Sequence, residues 1–179
     1  VSSGATLQVK ESNGNVRPWG DLRAKQVWKK PMAVMVDRYS ASASEIFAGA
    51  IQDYQRGIVI GQKTFGKGTV QRLDNLSSGQ IKITESKFYR ITGAGMQNKG
   101  ILPDITLPTT WDIEQIGESS YDTALPWDEI KPLPYKKFSI RPSLISQLND
   151  EHLIRVNQNP NLQYILDVRE RYEIQKNKE

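Results

Sequence analysis

The chain has 179 residues, 37% of them hydrophobic, enough to fold one packed domain with an appendage. Its 24 Lys and Arg against 20 Asp and Glu leave a net charge of +4. The signs are interleaved, as in 167–178, which argues against nucleic acid as a partner. There is no cysteine, so disulfides, thiolate nucleophiles and Cys-based metal sites are excluded, and no apolar run reaches the roughly 18 residues of a membrane span.

Val1-Ser2-Ser3-Gly4 opens the chain without an initiator Met and without a signal segment, and it reads as a piece of a longer protein. Thr6 to Lys10 is a short strand, and Asn13-Gly14-Asn15 is a turn able to close a hairpin. Arg17 to Lys30 mixes Pro, Gly, Trp and charge and reads as surface loop. Met32 to Val36 is a continuous apolar run, as in a strand buried on both faces. A helix should open near Ser42, with Ile46, Phe47, Ala50 and Ile51 at helical spacing, and Gly57 to Gly61 is the next buried strand. Strand, helix, strand over about 30 residues is the βαβ pattern of an α/β protein with parallel strands. Thr69 to Leu73 and Gln80 to Ile91 read as strands, and 101–105 as a short extended piece. After about Pro108 the composition changes. Ser143 to Val156 and Pro160 to Lys176 read as helices, with Asn159-Pro160 as cap and first-turn proline. The expected organisation is an α/β core over 1–108, a mixed sheet with βαβ units packed by helices, then a loop-rich segment and helical C-terminal extension over 109–179.

Ser42 follows a buried strand and opens a helix, where free N–H groups and the positive dipole end gather. The N–H of Ala43 could there support an oxyanion. Ser42-Ala43-Ser44-Glu45 equally fits a capping box, in which Ser42 would only cap the helix. A serine triad needs an imidazole, and the one histidine, His152, lies far along the chain and reads as a surface helix residue. A base for Ser42 would then be a lysine, whose ammonium loses its proton readily when desolvated. Lys67, between Gly66 and Gly68 after the second buried strand, is the candidate, because parallel strands present their C-terminal ends on one edge. A solvated lysine in a turn remains the alternative. Gly61 to Lys67 nearly matches a phosphate-binding loop, but Gly68 stands where Ser or Thr is needed and a strand follows instead of a helix.

Asp37-Arg38-Tyr39-Ser40-Ala41-Ser42-Ala43-Ser44-Glu45-Ile46 and Thr64-Phe65-Gly66-Lys67-Gly68-Thr69-Val70-Gln71 strongly resemble the C-terminal processing proteases. The resemblance extends through Phe88-Tyr89-Arg90 and Lys99 to Ile105, and through Asp122 to Asp128, which is similar to their tail-specific branch. It implies a serine endopeptidase acting through an acyl-enzyme on proteins selected by their C-terminal tails. Ser42 corresponds to the nucleophile, Lys67 to the general base and Gln71 to the residue that orients the lysine. An aspartate corresponding to Asp53 is sometimes counted with this set. Eleven residues of unbroken helix would carry it about 16 Å from Ser42, so a supporting role is expected. The resemblance implies no cofactor or metal, substrates with nonpolar C-termini, and a bacterial periplasm or cell envelope. It also implies a PDZ domain and an upstream Gly-rich oxyanion motif, neither visible in this chain, so low activity of the isolated chain is expected. A missing neighbouring strand would leave a sheet edge open to pairing with a second copy. A non-catalytic scaffold that retains the motifs, and an acyl-transfer enzyme acting on small substrates, stay open.

Overall fold

The computed structural model describes residues 4–21, 26–138 and 142–178. Strands β1 (Gly4–Glu11) and β2 (Val16–Asp21) form an antiparallel hairpin. Its turn is closed by Glu11 N–H donating to the Asn15 carbonyl at 2.9 Å. The Asn13-Gly14-Asn15 turn closes a hairpin as the sequence allows, but from Arg17 onward β2 runs through the stretch expected as loop. Pro18 and Gly20 hide its pattern, but β2 is the outer strand of its sheet, where a residue without an N–H is tolerated. Residues 22–25 of that stretch lie outside the described residues.

The βαβ unit is present: β3 (Ala33–Val36), α1 (Ala43–Asp53) and β4 (Ile58–Gly61), with β3 and β4 parallel from Ala33 opposite Ile58 to Val36 opposite Gly61. Strands β5 (Thr69–Asn75) and β6 (Gln80–Tyr89) form a second hairpin, and β7 (Ile105–Thr106) lies parallel to β4. The fold is α/β, with the strands divided between two sheets. One is antiparallel, in the order β2-β1-β6-β5; the other is parallel, in the order β3-β4-β7. Helix α1 touches β4 of one and β1 of the other. The core between them holds Val36, Ala48, Val59, Phe88, Met96 and Ile101.

Met32 to Val36 is not buried on both faces, since Met35 is 75% exposed. Strand β3 is one of the two outer strands of the parallel sheet, and only its Val34 and Val36 side turns toward the core. Helices α2 (Pro142–Gln158) and α3 (Pro160–Lys176) form the C-terminal extension. Asn159 caps α3 by accepting from the N–H groups of Asn161 and Leu162. His152 lies on α2 as expected but is not on the surface, being 4% exposed. Helix α2 packs against β7, and His152 Nε2 sits 3.1 Å from the Thr106 carbonyl there. A carbonyl only accepts, so that nitrogen carries the proton.

Candidate active site

The loops after β3 and β4 leave the C-terminal ends of adjacent parallel strands, and they carry Ser42 and Lys67. The first loop is shaped by Asp37, whose Oδ1 accepts from the Tyr39 N–H, the Ser40 N–H and the Ser40 hydroxyl. Ser40 is thereby occupied in the turn. Ser42 is not relaxed: it sits at φ 55°, ψ −112°. A residue with a Cβ pays about 1–3 kcal/mol for such a conformation, which persists only where the surroundings fix it. A strained serine between a strand and a helix is also how a nucleophile elbow exposes its hydroxyl. The Ala43 N–H, first in α1, has by position no acceptor within the helix.

Glu45 is what fixes the turn, and the capping motif in the sequence shows only half of its role. Its Oε2 accepts from the Ser42 N–H at 2.9 Å, the half that the motif predicts. The same oxygen accepts from the Lys67 N–H, also at 2.9 Å. Oε1 accepts from the Gly66 N–H at 2.7 Å and from the Thr64 hydroxyl at 2.5 Å. One fully buried carboxylate therefore joins the serine turn to the lysine loop, and the Ser42 and Lys67 backbones lie within two hydrogen-bond lengths of each other. Burial pushes the Glu45 carboxyl up from its ordinary value, against the pull of these four donors. A further bond, Phe65 N–H to the Ser40 carbonyl at 3.0 Å, closes the same seam. Arg38, also fully buried, donates to the Thr64 carbonyl beside it.

The glycines around Lys67 have a steric reason. A Cβ on Gly68 would stand 2.5 Å from the Gln97 nitrogen, and one on Gly66, at φ 91°, would press on the Asn98 backbone. Bare backbone lets the loop lie flat on residues 97–98. Lys67 Nζ donates to Gln71 Oε1 at 2.8 Å and makes no hydrogen bond to the Ser42 hydroxyl, and Gln71 Nε2 reaches Thr84 Oγ1 at 3.3 Å on β6. The lysine and Gln71 border a cleft of about 430 Å³ that is also lined by Phe65, Lys82, Tyr121 and Leu125. A larger hollow of about 930 Å³ lies beside Met32 and Arg56, where none of the candidate residues is found.

Asp53 closes the opposite end of α1. The helix is unbroken, so about 16 Å of its axis separates Asp53 from Ser42. Asp53 is buried and paired with Arg90, whose Nε donates to Oδ1 at 2.9 Å. Burial raises its carboxyl pKa despite that partner.

Residues 1–107 match peptidase family S41, and residues 111–179 match the C-terminal domain of tail specific protease. The chain is 41% identical over 172 residues to the tail-specific protease of Haemophilus influenzae. That alignment covers 89% of this chain and 25% of the relative, so the chain spans about a quarter of its length. It is 44% identical over 80 residues to a carboxy-terminal-processing protease of Bartonella bacilliformis, covering 44% of this chain and 18% of that protein. Among solved structures it is similar to a photosystem II D1 C-terminal processing protease, 32% identical with a TM-score of 0.52, over 60% of this chain and 28% of that one. The two strand-end loops thus occur in a chain whose relatives are proteases by name, and the chain belongs to peptidase family S41.

Proposed function

We propose that this chain carries the Ser–Lys catalytic apparatus of a serine endopeptidase that cleaves proteins selected by their C-terminal tails. The observation that carries the reading is the Glu45 carboxylate, which binds the Ser42 turn and the Lys67 loop at once. Lys67 Nζ takes the proton of the Ser42 hydroxyl as Oγ adds to the scissile carbonyl. The oxyanion is met by the Ala43 N–H at the positive end of α1. The C–N bond then breaks, the lysine returns its proton to the leaving amine, and water repeats the cycle on the acyl-enzyme. Gln71, bonded to Nζ, orients the lysine. Asp53 supports the far end of α1 through Arg90.

Residues 1–108 are the catalytic part in this reading, and 109–179 the extension. Substrates with nonpolar C-termini and a place in a bacterial periplasm or envelope belong to this proposal, and the family resemblance supports them. Among the described residues no helix is long and apolar enough to cross a membrane. The open edge of β3 offers a site for pairing with a second copy.

The test is fluorophosphonate labelling and peptide cleavage by the complete protein. Wild type should label at Ser42 and cleave an unstructured substrate with a nonpolar C-terminus. Ser42→Ala should do neither. Lys67→Arg should fold and stay inactive, because a guanidinium remains protonated and its backbone bond to Glu45 is untouched. A wild type that neither labels nor cleaves would point to a scaffold.

A further inference from the structure

We propose that Gln97 is a positioning residue for this reaction, transmitting the placement of the 113–125 segment to the lysine loop, so that this segment forms part of the working active site. The inference rests on Lys67 being the general base.

Gln97 is 1% exposed, and both ends of its amide are used. Oε1 accepts from the Gly68 N–H at 2.9 Å, the peptide next to Lys67. Nε2 donates to Glu118 Oε1 at 3.0 Å. The neighbouring Asn98 N–H donates to the Gly66 carbonyl at 2.8 Å, so residues 97–98 hold the backbone on both sides of the lysine. The 113–118 stretch reaches the same loop twice more. The Glu118 N–H donates to the Phe65 carbonyl at 2.9 Å. Arg38 Nε donates to the Ile113 carbonyl at 3.0 Å while its other arm donates to the Thr64 carbonyl. Beyond Glu118 the chain passes into Tyr121 and Leu125, which line the cleft beside Lys67. The lysine lies in the part that matches family S41, and Glu118 in the part that matches the C-terminal domain.

The residue type matters because an amide offers an acceptor to one neighbour and a donor to the other. A carboxylate at 97 would still accept from Gly68 but would face Glu118 with like charge. The lysine loop would then be pushed away from its place, and misplacing a reacting group by about 1 Å costs on the order of 10²-fold in rate.

The experiment uses the complete protein, a peptide substrate, kcat and KM measured separately, and a thermal melt of every variant. Gln97→Glu should lower kcat about 10–100-fold with KM within about threefold. The double variant Gln97→Glu with Glu118→Gln restores an acceptor–donor pair in reversed order and should recover most of that loss. Glu118→Ala, at a half-buried side chain whose backbone bond to Phe65 survives, should lower kcat about 3–10-fold at unchanged KM. If Gln97→Glu fails to fold, Glu118→Ala alone decides. A wild-type kcat in Glu118→Ala, a change confined to KM, or a double variant no better than Gln97→Glu would overturn the proposal. Ser42→Ala and Lys67→Ala are run alongside. If both are dead while Glu118→Ala is fully active, only this inference falls; if either retains activity, the Ser–Lys reading falls and takes this inference with it.

Discussion

Glu45→Gln is the substitution that separates a helix cap from a clamp. The amide keeps one oxygen, which can still serve the Ser42 and Lys67 N–H groups that share Oε2. Its NH₂ then faces the Gly66 N–H and the Thr64 hydroxyl, both donors to Oε1 in the wild type. Thr64 already accepts from the Ile101 N–H at 2.7 Å and can turn, but the Gly66 N–H is left facing another donor. Two hydrogen bonds to a charged acceptor are worth roughly 1.5–3 kcal/mol each. Relief from burying a charge returns part of that, leaving a net destabilisation of about 2–3 kcal/mol. At about 2–4 °C per kcal/mol for a domain of this size, the melting temperature should fall by about 4–12 °C. A plain helix cap would cost about 1 kcal/mol and leave chemistry alone. The clamp also predicts that kcat, measured well below the melting transition and normalised to fluorophosphonate-reactive sites, falls on the order of 100-fold, because Gly66 is the peptide before Lys67. Calorimetry and a peptide assay read both effects. A Gln variant with wild-type kcat and a loss near 1 kcal/mol would refute the clamp.

Ser42→Gly and Ser42→Ala should both be inactive, but the glycine variant should be the more stable by about 2 kcal/mol or more in thermal melts, beyond the roughly 1 kcal/mol by which an N-cap ordinarily prefers Gly to Ala, because only glycine is relaxed at φ 55°. Asp53→Asn should leave the Arg90 guanidinium without its buried counter-charge and cost about 3–5 kcal/mol, while kcat per titrated site changes less than tenfold; a 100-fold loss at unchanged stability would place Asp53 in the chemistry instead. Asp128 is held below its ordinary pKa: burial pushes the carboxyl up, but hydrogen bonds from Lys87 and Tyr89 and the nearby lysine charges outweigh it. A depressed folded-state pKa gives stability that is present above the unfolded value, about 4, and is lost as pH falls through the folded one. Wild type should therefore lose stability on acidification below about pH 4 more steeply than Asp128→Asn, and parallel pH profiles would contradict this.

The βαβ unit was legible because its two strands are unbroken apolar runs of strand length and the helix between them has apolar residues at helical spacing. The two strands of the second hairpin and the Asn159 cap were legible because their signals are local. Strand β2 was not, because Pro18 and Gly20 erase the alternation and only its place at a sheet edge makes them tolerable. The exposure of Met35 was hidden because a short apolar run does not say how many of its faces another layer covers. The burial of His152 depends on where α2 docks, which its own sequence does not encode. At the candidate site, the sequence nominates Ser42 and Lys67 from their positions after successive strands. Glu45 could be seen only as a cap, since its partners at 64, 66 and 67 lie about two dozen residues or fewer ahead but on another loop.

The strain at Ser42, about 1–3 kcal/mol, is a cost that an ordinary capped helix does not carry, because its residue at this position is relaxed. Its compensation comes through Glu45, and three of the four bonds to that carboxylate come from the lysine loop. The lysine loop in turn is held at Gly66 and Gly68 by residues 97–98, where a Cβ on Gly68 would collide and one on Gly66 would press on the Asn98 backbone. When the lysine loop is displaced, Glu45 becomes a buried carboxylate with one donor left, and holding Ser42 in its strained geometry is no longer favourable. In the Ser–Lys reading proposed above, nucleophile and base are therefore set or lost together.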